Sequence, residues 1–220
     1  MTTNYGQYCP IAKATEVLGE RWTMLVLREL LIGSRQFNVI ARGVPTMSRN
    51  LLTKRLRQLE RAGLVERVDG NYELTMAGRS LRPIVFGVGD WAATWILNDP
   101  ERDELDPTLL LWWAHGRLNT SVLPERRVVI EFVFVDDRRR YWVVVEPMGC
   151  SLCDSDPGFT VDATIRTDLD TLHRVLNGRE PLGVAQREGR MTFTGNTAIT
   201  RRLPDVLKLT TLAELAQLPA

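Results

Sequence analysis

The sequence predicts an α+β chain in two parts: a group of helices closed by a β-hairpin, then an antiparallel sheet covered by helices. Three observations predict it. Apolar residues recur at helical spacing through residues 10–62. Asp69-Gly70 separates two short alternating segments, which is a strong hairpin signal. Beyond residue 107, β-branched and aromatic runs alternate with helical ones. A length of 220 residues suits one large domain or two small ones, and 44% hydrophobic with 25% charged residues is an ordinary globular composition.

The net charge of +1 hides an asymmetry. Residues 1–95 carry 13 Lys/Arg against 8 Asp/Glu, whereas residues 96–220 carry 15 against 19. A basic first part and an acidic second part suggest two domains with different partners, and an anionic polymer suits the first. The domains are expected at residues 1–97 and 107–220, with Asn98-Asp99-Pro100 and the acidic run that follows as a linker over 98–106.

Pro10 opens a first helix over residues 10–18, with Ile11, Ala14, Val17 and Leu18 on one face and Gly19 as its stop. A second helix is expected over 21–31 and a third over 37–42, with Ser34 as a possible N-cap of the third. Gly43-Val44-Pro45 breaks the chain. Ser48 then caps a helix over 49–62, closed by Gly63. Leu52, Leu56 and Leu59 form its buried stripe. Its other face carries Arg49, Asn50, Thr53, Lys54, Arg57 and Arg61, with no carboxylate before Glu60. A solvated face normally mixes charge signs, and this one does not. The hairpin follows, 64–68 against 72–75.

Three helices and a hairpin make a winged helix-turn-helix, and an α-helix with its side chains fits a DNA major groove. Forked donors such as Arg and Asn suit base edges, while Lys, Arg, Ser and Thr suit phosphates. The expected DNA contacts are Ser34, Arg35, Gln36, Ser48, Arg49, Asn50, Thr53, Lys54 and Arg57, with Arg67, Asn71 and Tyr72 on the wing. Residues 77–95 form a further apolar stripe through Leu81, Ile84, Val85, Val88, Trp91, Ala92 and Trp95, with a kink or break at Pro83.

Several runs resemble the HxlR family of bacterial regulators. They are Cys9-Pro10-Ile11, Leu18-Gly19-Glu20-Arg21-Trp22-Thr23, Leu27 to Gly33, Phe37-Asn38, Arg55 to Glu60, Gly63-Leu64-Val65, Tyr72 to Thr75, and Gly78 to Pro83 with Trp91. The resemblance spans roughly residues 7–95 and implies a homodimeric, MarR-like winged-helix repressor or activator. It implies a dimer interface of the first helix and the later stripe: Ile11, Ala14, Leu18, Leu81, Val85, Val88, Trp91 and Trp95. It also places Cys9 at the family's N-terminal cysteine, a redox candidate, with Lys13 one turn away to favour the thiolate. Gln36 stands where the family usually has Arg, and the wing is shorter than usual.

In the second part, a helix is expected over 107–118, strands over 128–135, 141–145, 160–166 and 189–194, and helices over 168–177 and 197–207. Thr164 to Arg174, Gly178 with Pro181-Leu182 and Ala185, and Gly189 to Gly195 resemble the sterol carrier protein (type two) fold. That resemblance implies an apolar small-molecule effector or an extra dimerisation unit. Trp112, Trp113, Phe132, Phe134, Trp142, Ala163 and Phe193 are the ligand-binding candidates. A packed core uses the same residue types, and the sequence does not separate the two.

Other chemistry is poorly served. Cys150-Ser151-Leu152-Cys153 is a CxxC without further zinc ligands at useful spacing, so either a dithiol pair or two unrelated thiols in a loop. No metal and no cofactor are expected. Two histidines and no Ser-His-Asp order or phosphate-cradling loop argue against an enzyme. Without a secretory leader pattern or an apolar run long enough to span a bilayer, a cytoplasmic protein is expected, with no membrane partner. The expected partners are double-stranded DNA, a second copy of the chain and an apolar effector. The alternative is a lipid- or small-molecule-binding protein whose winged helix serves protein contacts.

Overall fold

A computed structural model of the chain describes residues 4–96, 100, 104–147, 149–211, 214 and 217. It divides into two compact units, one of residues 1–98 with 212–220 and one of residues 99–211. Much of the expected linker, residues 98, 99 and 101–103, lies outside the described residues.

The first unit begins with α1 (Pro10–Leu18), with Pro10 in its opening turn where no amide donor is needed. Then come α2 (Thr23–Leu31), α3 (Phe37–Gly43) and α4 (Arg49–Arg61). α2 starts two residues later than its apolar spacing predicts, because Trp22 adopts a left-handed φ of 79°. That conformation is costly for a bulky residue. Ser34 is not an N-cap. The α3 N-cap position is Gln36, without a side-chain bond, and Ser34 is buried and donates to the Glu29 carboxylate at 3.3 Å. Ser48 does cap α4, accepting from the Leu51 amide at 3.3 Å.

The wing pairs β1 (Val65–Val68) with β2 (Asn71–Leu74), antiparallel, with Val68 opposite Asn71. Asp69 and Gly70 between them both have positive φ, 49° and 82°, as a two-residue hairpin turn of the right twist requires. Next come α5 (Met76–Ser80) and α6 (Arg82–Trp95). The expected disturbance at Pro83 is a full break at Leu81, and Pro83 falls in the first turn of α6. The core joins Val26, Leu27, Ile40, Leu52, Leu56, Leu59, Val65 and Phe86.

A charged group lies inside this unit. Glu29 has no exposed surface. Arg28 donates to its Oε1 from Nε at 3.0 Å and Nη2 at 2.7 Å, and Arg28 Nη2 also donates to the Gly43 carbonyl at 2.6 Å. Burial pulls the Arg28 guanidinium below its ordinary range, and Glu29 opposes that shift. A Cβ on Gly43 would overlap the Glu29 carboxylate, so α3 can pack here only with glycine at its end.

The second unit opens with α7 (Pro107–His115), capped by the Asp106 carboxylate at 2.9 Å from the Leu109 amide. A 3-10 turn (Thr120–Val122) leads to β3 (Val128–Phe134), β4 (Arg140–Glu146), β5 (Gly149–Cys153) and β6 (Ala163–Thr167). Then come α8 (Leu169–Leu176), α9 (Leu182–Arg187), β7 (Met191–Gly195), α10 (Thr197–Thr200) and α11 (Leu203–Val206). The strand order is β5-β4-β3-β6-β7. The fold is α+β, but the sheet is mixed rather than wholly antiparallel: β3 and β6 run parallel, with Phe132 opposite Ile165. The last expected helix divides in two before Pro204, which sits in the first turn of α11.

Alternation along the strands sorts the sheet into two faces. Ile130, Phe132, Phe134, Tyr141, Val143, Val145, Ala163 and Ile165 face the helices and share one core with their Leu111, Leu172, Ala185 and Leu203. Val129, Trp142 and Val144 lie on the other face.

Gly43→Ala should lower the stability of the first unit by about 1–3 kcal/mol, because the added methyl displaces a buried ionised group. A urea unfolding curve with an unchanged midpoint would contradict this packing of Gly43 against Glu29.

Candidate nucleic-acid interface

The basic face of α4 is built by a division of labour along one helix. Leu52, Leu56 and Leu59 are buried, so the opposite face is held outward. Arg49, Asn50, Lys54, Arg57 and Arg61 are exposed, and Thr53 is half-buried. Arg49 is steered by α3: its guanidinium donates to Asn38 Oδ1 and lies 5.0 Å from the centre of the Phe37 ring. Thr53 turns its hydroxyl back to the Arg49 carbonyl at 3.0 Å, so that hydrogen is already engaged within the helix. Lys54, Arg57 and Arg61 enter no ion pair with the described residues.

Arg55 behaves differently. It is buried, donates from Nε to the Arg21 carbonyl at 3.0 Å, pairs with Glu20 at 2.9 Å and bonds Gln58 Oε1. It therefore ties the turn between α1 and α2 to the middle of α4. This role was not assigned from the sequence, although a signal existed. Arg55 lies three residues after Leu52 and four before Leu59, on the buried side of the helix.

The structure separates the other expected DNA contacts. Arg35, Gln36, Ser48 and Arg67 are exposed and Asn71 is half-buried. Arg35 pairs with Glu73 of the wing at 2.7 Å, and its carbonyl accepts from the Tyr72 amide at 2.8 Å. The wing is thus fastened to the loop before α3. Two expected contacts are corrected. Ser34 is turned inward to Glu29, and Tyr72 is a core residue whose ring lies 4.9 Å under the Arg67 guanidinium. The alternation of a short hairpin puts Tyr72 and Leu74 on its inner side.

On α6, Ile84, Val88, Trp91 and Trp95 form one exposed stripe, with Trp91 55% and Trp95 75% exposed. Ile11 and Ala14 are exposed on α1. Val85 does not belong to that stripe; it is buried in the unit's own core beside Phe86. Leu18 and Leu81 are half-buried against the same core. Cys9 is half-buried at the N-cap position of α1. The Lys13 ammonium, one turn further on, is held 3.0 Å from the Glu16 carboxylate.

In the second unit, Phe132, Phe134 and Ala163 lie on the inner face of the sheet and Phe193 packs against them. Trp142 points from the opposite face and cannot share a cavity with them. Trp112 is buried on α7, and Trp113 is half-buried under the Arg117 guanidinium. The CxxC is not in a loop but on edge strand β5. Cys150 is opposite Val145 and Cys153 opposite Trp142, so the thiols point to different faces. A spacing of three along a strand cannot bring them together. Burial pushes the Cys150 thiol up to about 12.

The HxlR-like helix-turn-helix model matches residues 17–100. The HTH-type transcriptional regulator YvaP of Bacillus subtilis is 37% identical over 101 residues, 42% of this chain and 94% of YvaP.

The chain belongs to the HxlR-like helix-turn-helix family.

It is a transcriptional regulator with a helix-turn-helix DNA-binding domain. The quinone-bound structure of YodB from B. subtilis is 32% identical, covering 40% of this chain and 99% of YodB, with a TM-score of 0.37. The ubiquinone synthesis protein UbiJ-SCP2 is 17% identical and covers 62% of this chain and 99% of UbiJ, with a TM-score of 0.33. Among the described residues, no helix is long and apolar enough to cross a membrane.

Oxidation should leave no Cys150–Cys153 disulfide, and iodoacetamide at pH 8 should leave Cys150 unmodified while the protein is folded. Peptide mass mapping after each treatment checks both statements. A 150–153 crosslink in folded protein would contradict the strand register.

Proposed function

We propose that residues 1–97 act as a homodimeric DNA reader and that α4 enters the major groove. The observation that carries this reading is the outward face of Arg49, Asn50, Lys54 and Arg57. Family membership supplies DNA as the partner, and this face supplies the chemistry to hold it. Arg49, set in place by Phe37 and Asn38, and Asn50 provide forked donors suited to base edges. Lys54 and Arg57, in no ion pair among the described residues, provide charge suited to phosphates. Gln36, Ser48 and the Arg67 tip of the wing lie outward as further backbone contacts. Arg35, paired with Glu73, contributes mainly by holding the wing in place.

The exposed Ile84, Val88, Trp91 and Trp95 stripe, with Ile11 of α1, is the proposed dimer seam. Such a patch is expensive to leave in water and is a usual mark of an interface. Cys9, at the opening of α1, lies beside that seam in sequence, and oxidation there is the proposed redox input. Residues 107–220 are proposed to take an apolar effector or to add a dimer contact. The sterol-carrier resemblance supports this, together with the placement of Phe132, Phe134, Ala163 and Phe193 on one face of the sheet. The output is transcription rather than catalysis, as in the matched regulators.

Arg49→Ala/Asn50→Ala should cost roughly 1–3 kcal/mol per lost base contact and relax sequence preference on the gene's upstream DNA. Lys54→Ala or Arg57→Ala should weaken binding to every duplex and flatten the salt slope. Unchanged operator affinity in the folded double variant would remove α4 from the DNA interface. Trp91→Glu should turn the dimer into a monomer in sedimentation, because it places a charge in an apolar seam. A wild-type protein that sediments as a clean monomer when dilute, or a Trp91→Glu variant that stays dimeric, would refute the seam.

Ala163→Trp separates the two readings of the second unit. In a ligand cavity it should abolish the thermal shift given by an acyl ligand and leave the fold intact. In a solid core it should destabilise by about 1–3 kcal/mol, with no ligand-dependent shift in the wild type either.

A further inference from the structure

A cleft of about 980 Å³ runs between α1, the start of α2 and α4, and its lining includes Val17, Glu20, Thr23, Lys54, Arg57 and Arg61. Three features of it are unusual together. Thr23 is only 2% exposed, lines the cleft, and its buried hydroxyl has no hydrogen-bond partner among the described residues. A buried polar group without a partner is destabilising and calls for an explanation. The residue before it, Trp22, holds a left-handed φ of 79°, and strain of this kind tends to collect at working sites. The charges on the walls are also unbalanced. Glu16 is engaged by Lys13 and Glu20 by Arg55, whereas Lys54, Arg57 and Arg61 have no carboxylate partner among the described residues.

We propose that this cleft is an effector site for a small organic anion, with an apolar body against Val17 and Leu59 and a polar group that bonds Thr23. The anionic class follows from the unneutralised cations, and the small size from the volume. The site deepens the DNA-binding reading and rests on it for its regulatory meaning. Asn50, Thr53, Lys54 and Arg57 belong both to the cleft and to the outward face of α4. An occupied cleft therefore takes up groups that DNA requires. Arg55 adds a second route, because it joins the Glu20-Arg21 turn beside Thr23 to the middle of α4.

The test uses the full chain and two fluorescent probes that share one ring system. These are 8-anilinonaphthalene-1-sulfonate, which is anionic, and its uncharged parent N-phenyl-1-naphthylamine. The sulfonate should bind once per chain, at least tenfold more tightly than the neutral probe. Thr23→Val should weaken it about two- to tenfold, the range for one hydrogen bond, and at the same time raise the Tm of the free protein. Val17→Trp should abolish binding by filling the cleft, with circular dichroism confirming the fold. Thr23→Val keeps the proposal refutable if Val17→Trp does not fold.

Saturating sulfonate should displace a duplex from the gene's upstream region. Equal affinity for both probes, or binding indifferent to Thr23→Val and Val17→Trp, would overturn the site and place the dye on the exposed stripe of α6. A bound duplex undisturbed by saturating sulfonate would overturn its link to DNA. A duplex that never binds would remove the DNA-binding reading alone, since the probe measurements need no DNA.

Discussion

Glu29 brings a carboxylate into the centre of the first unit with no surface left in contact with water. The groups around it that make that tolerable include two donors from Arg28, the Ser34 hydroxyl and the space left by Gly43. Removing one partner of such a group typically costs about 3–5 kcal/mol, because the remaining charge is left uncompensated. The arrangement joins the end of α2, the loop before α3 and the end of α3. The spacing of the helix-turn-helix is therefore set by a polar contact with narrow geometric tolerance, where an apolar contact would allow slippage. The α4 helix follows within six residues of Gly43, so its direction inherits that constraint.

A second polar anchor works one layer further out. Arg55 spends its donors on the Arg21 carbonyl, Glu20 and Gln58, and so is not available to a nucleic acid. Its neighbours Lys54 and Arg57 keep theirs. Three cations within four residues thus take opposite roles according to the side of the helix on which they fall. The wing shows the same economy: Arg35 and the Tyr72 amide fasten it to the loop before α3, which leaves Arg67 and Asn71 at its tip.

The second unit is organised by alternation. One face of the sheet carries the helices and the larger core, and the other carries a small cluster around Trp142. The parallel pairing of β3 with β6 places Ala163 and Ile165 beside Ile130 and Phe132, which joins two distant stretches of sequence into one apolar surface. The same alternation divides Cys150 from Cys153 and removes the redox pair that their spacing suggests.

Much of this was legible in the sequence, because local rules carried it. Pro10 and Gly19 bound α1 as expected, Ser48 opens α4, and Asp69-Gly70 makes the hairpin turn. The buried stripe of Leu52, Leu56 and Leu59 follows from a period of 3.6 alone. The basic face opposite it was visible for the same reason. What the sequence did not determine depends on contacts between residues far apart. The inward turn of Ser34 needs Glu29, and the burial of Tyr72 needs the core behind the wing. The exclusion of Val85 from the exposed stripe needs Phe86 and α2. Strand β5 was missed because its sequence, Gly149 to Cys153, has little strand propensity of its own and is held by pairing with β4. The cleft beside Thr23 has no sequence signature at all. It lies between α1, the start of α2 and α4, and the fold that brings these elements together is not encoded in any local spacing.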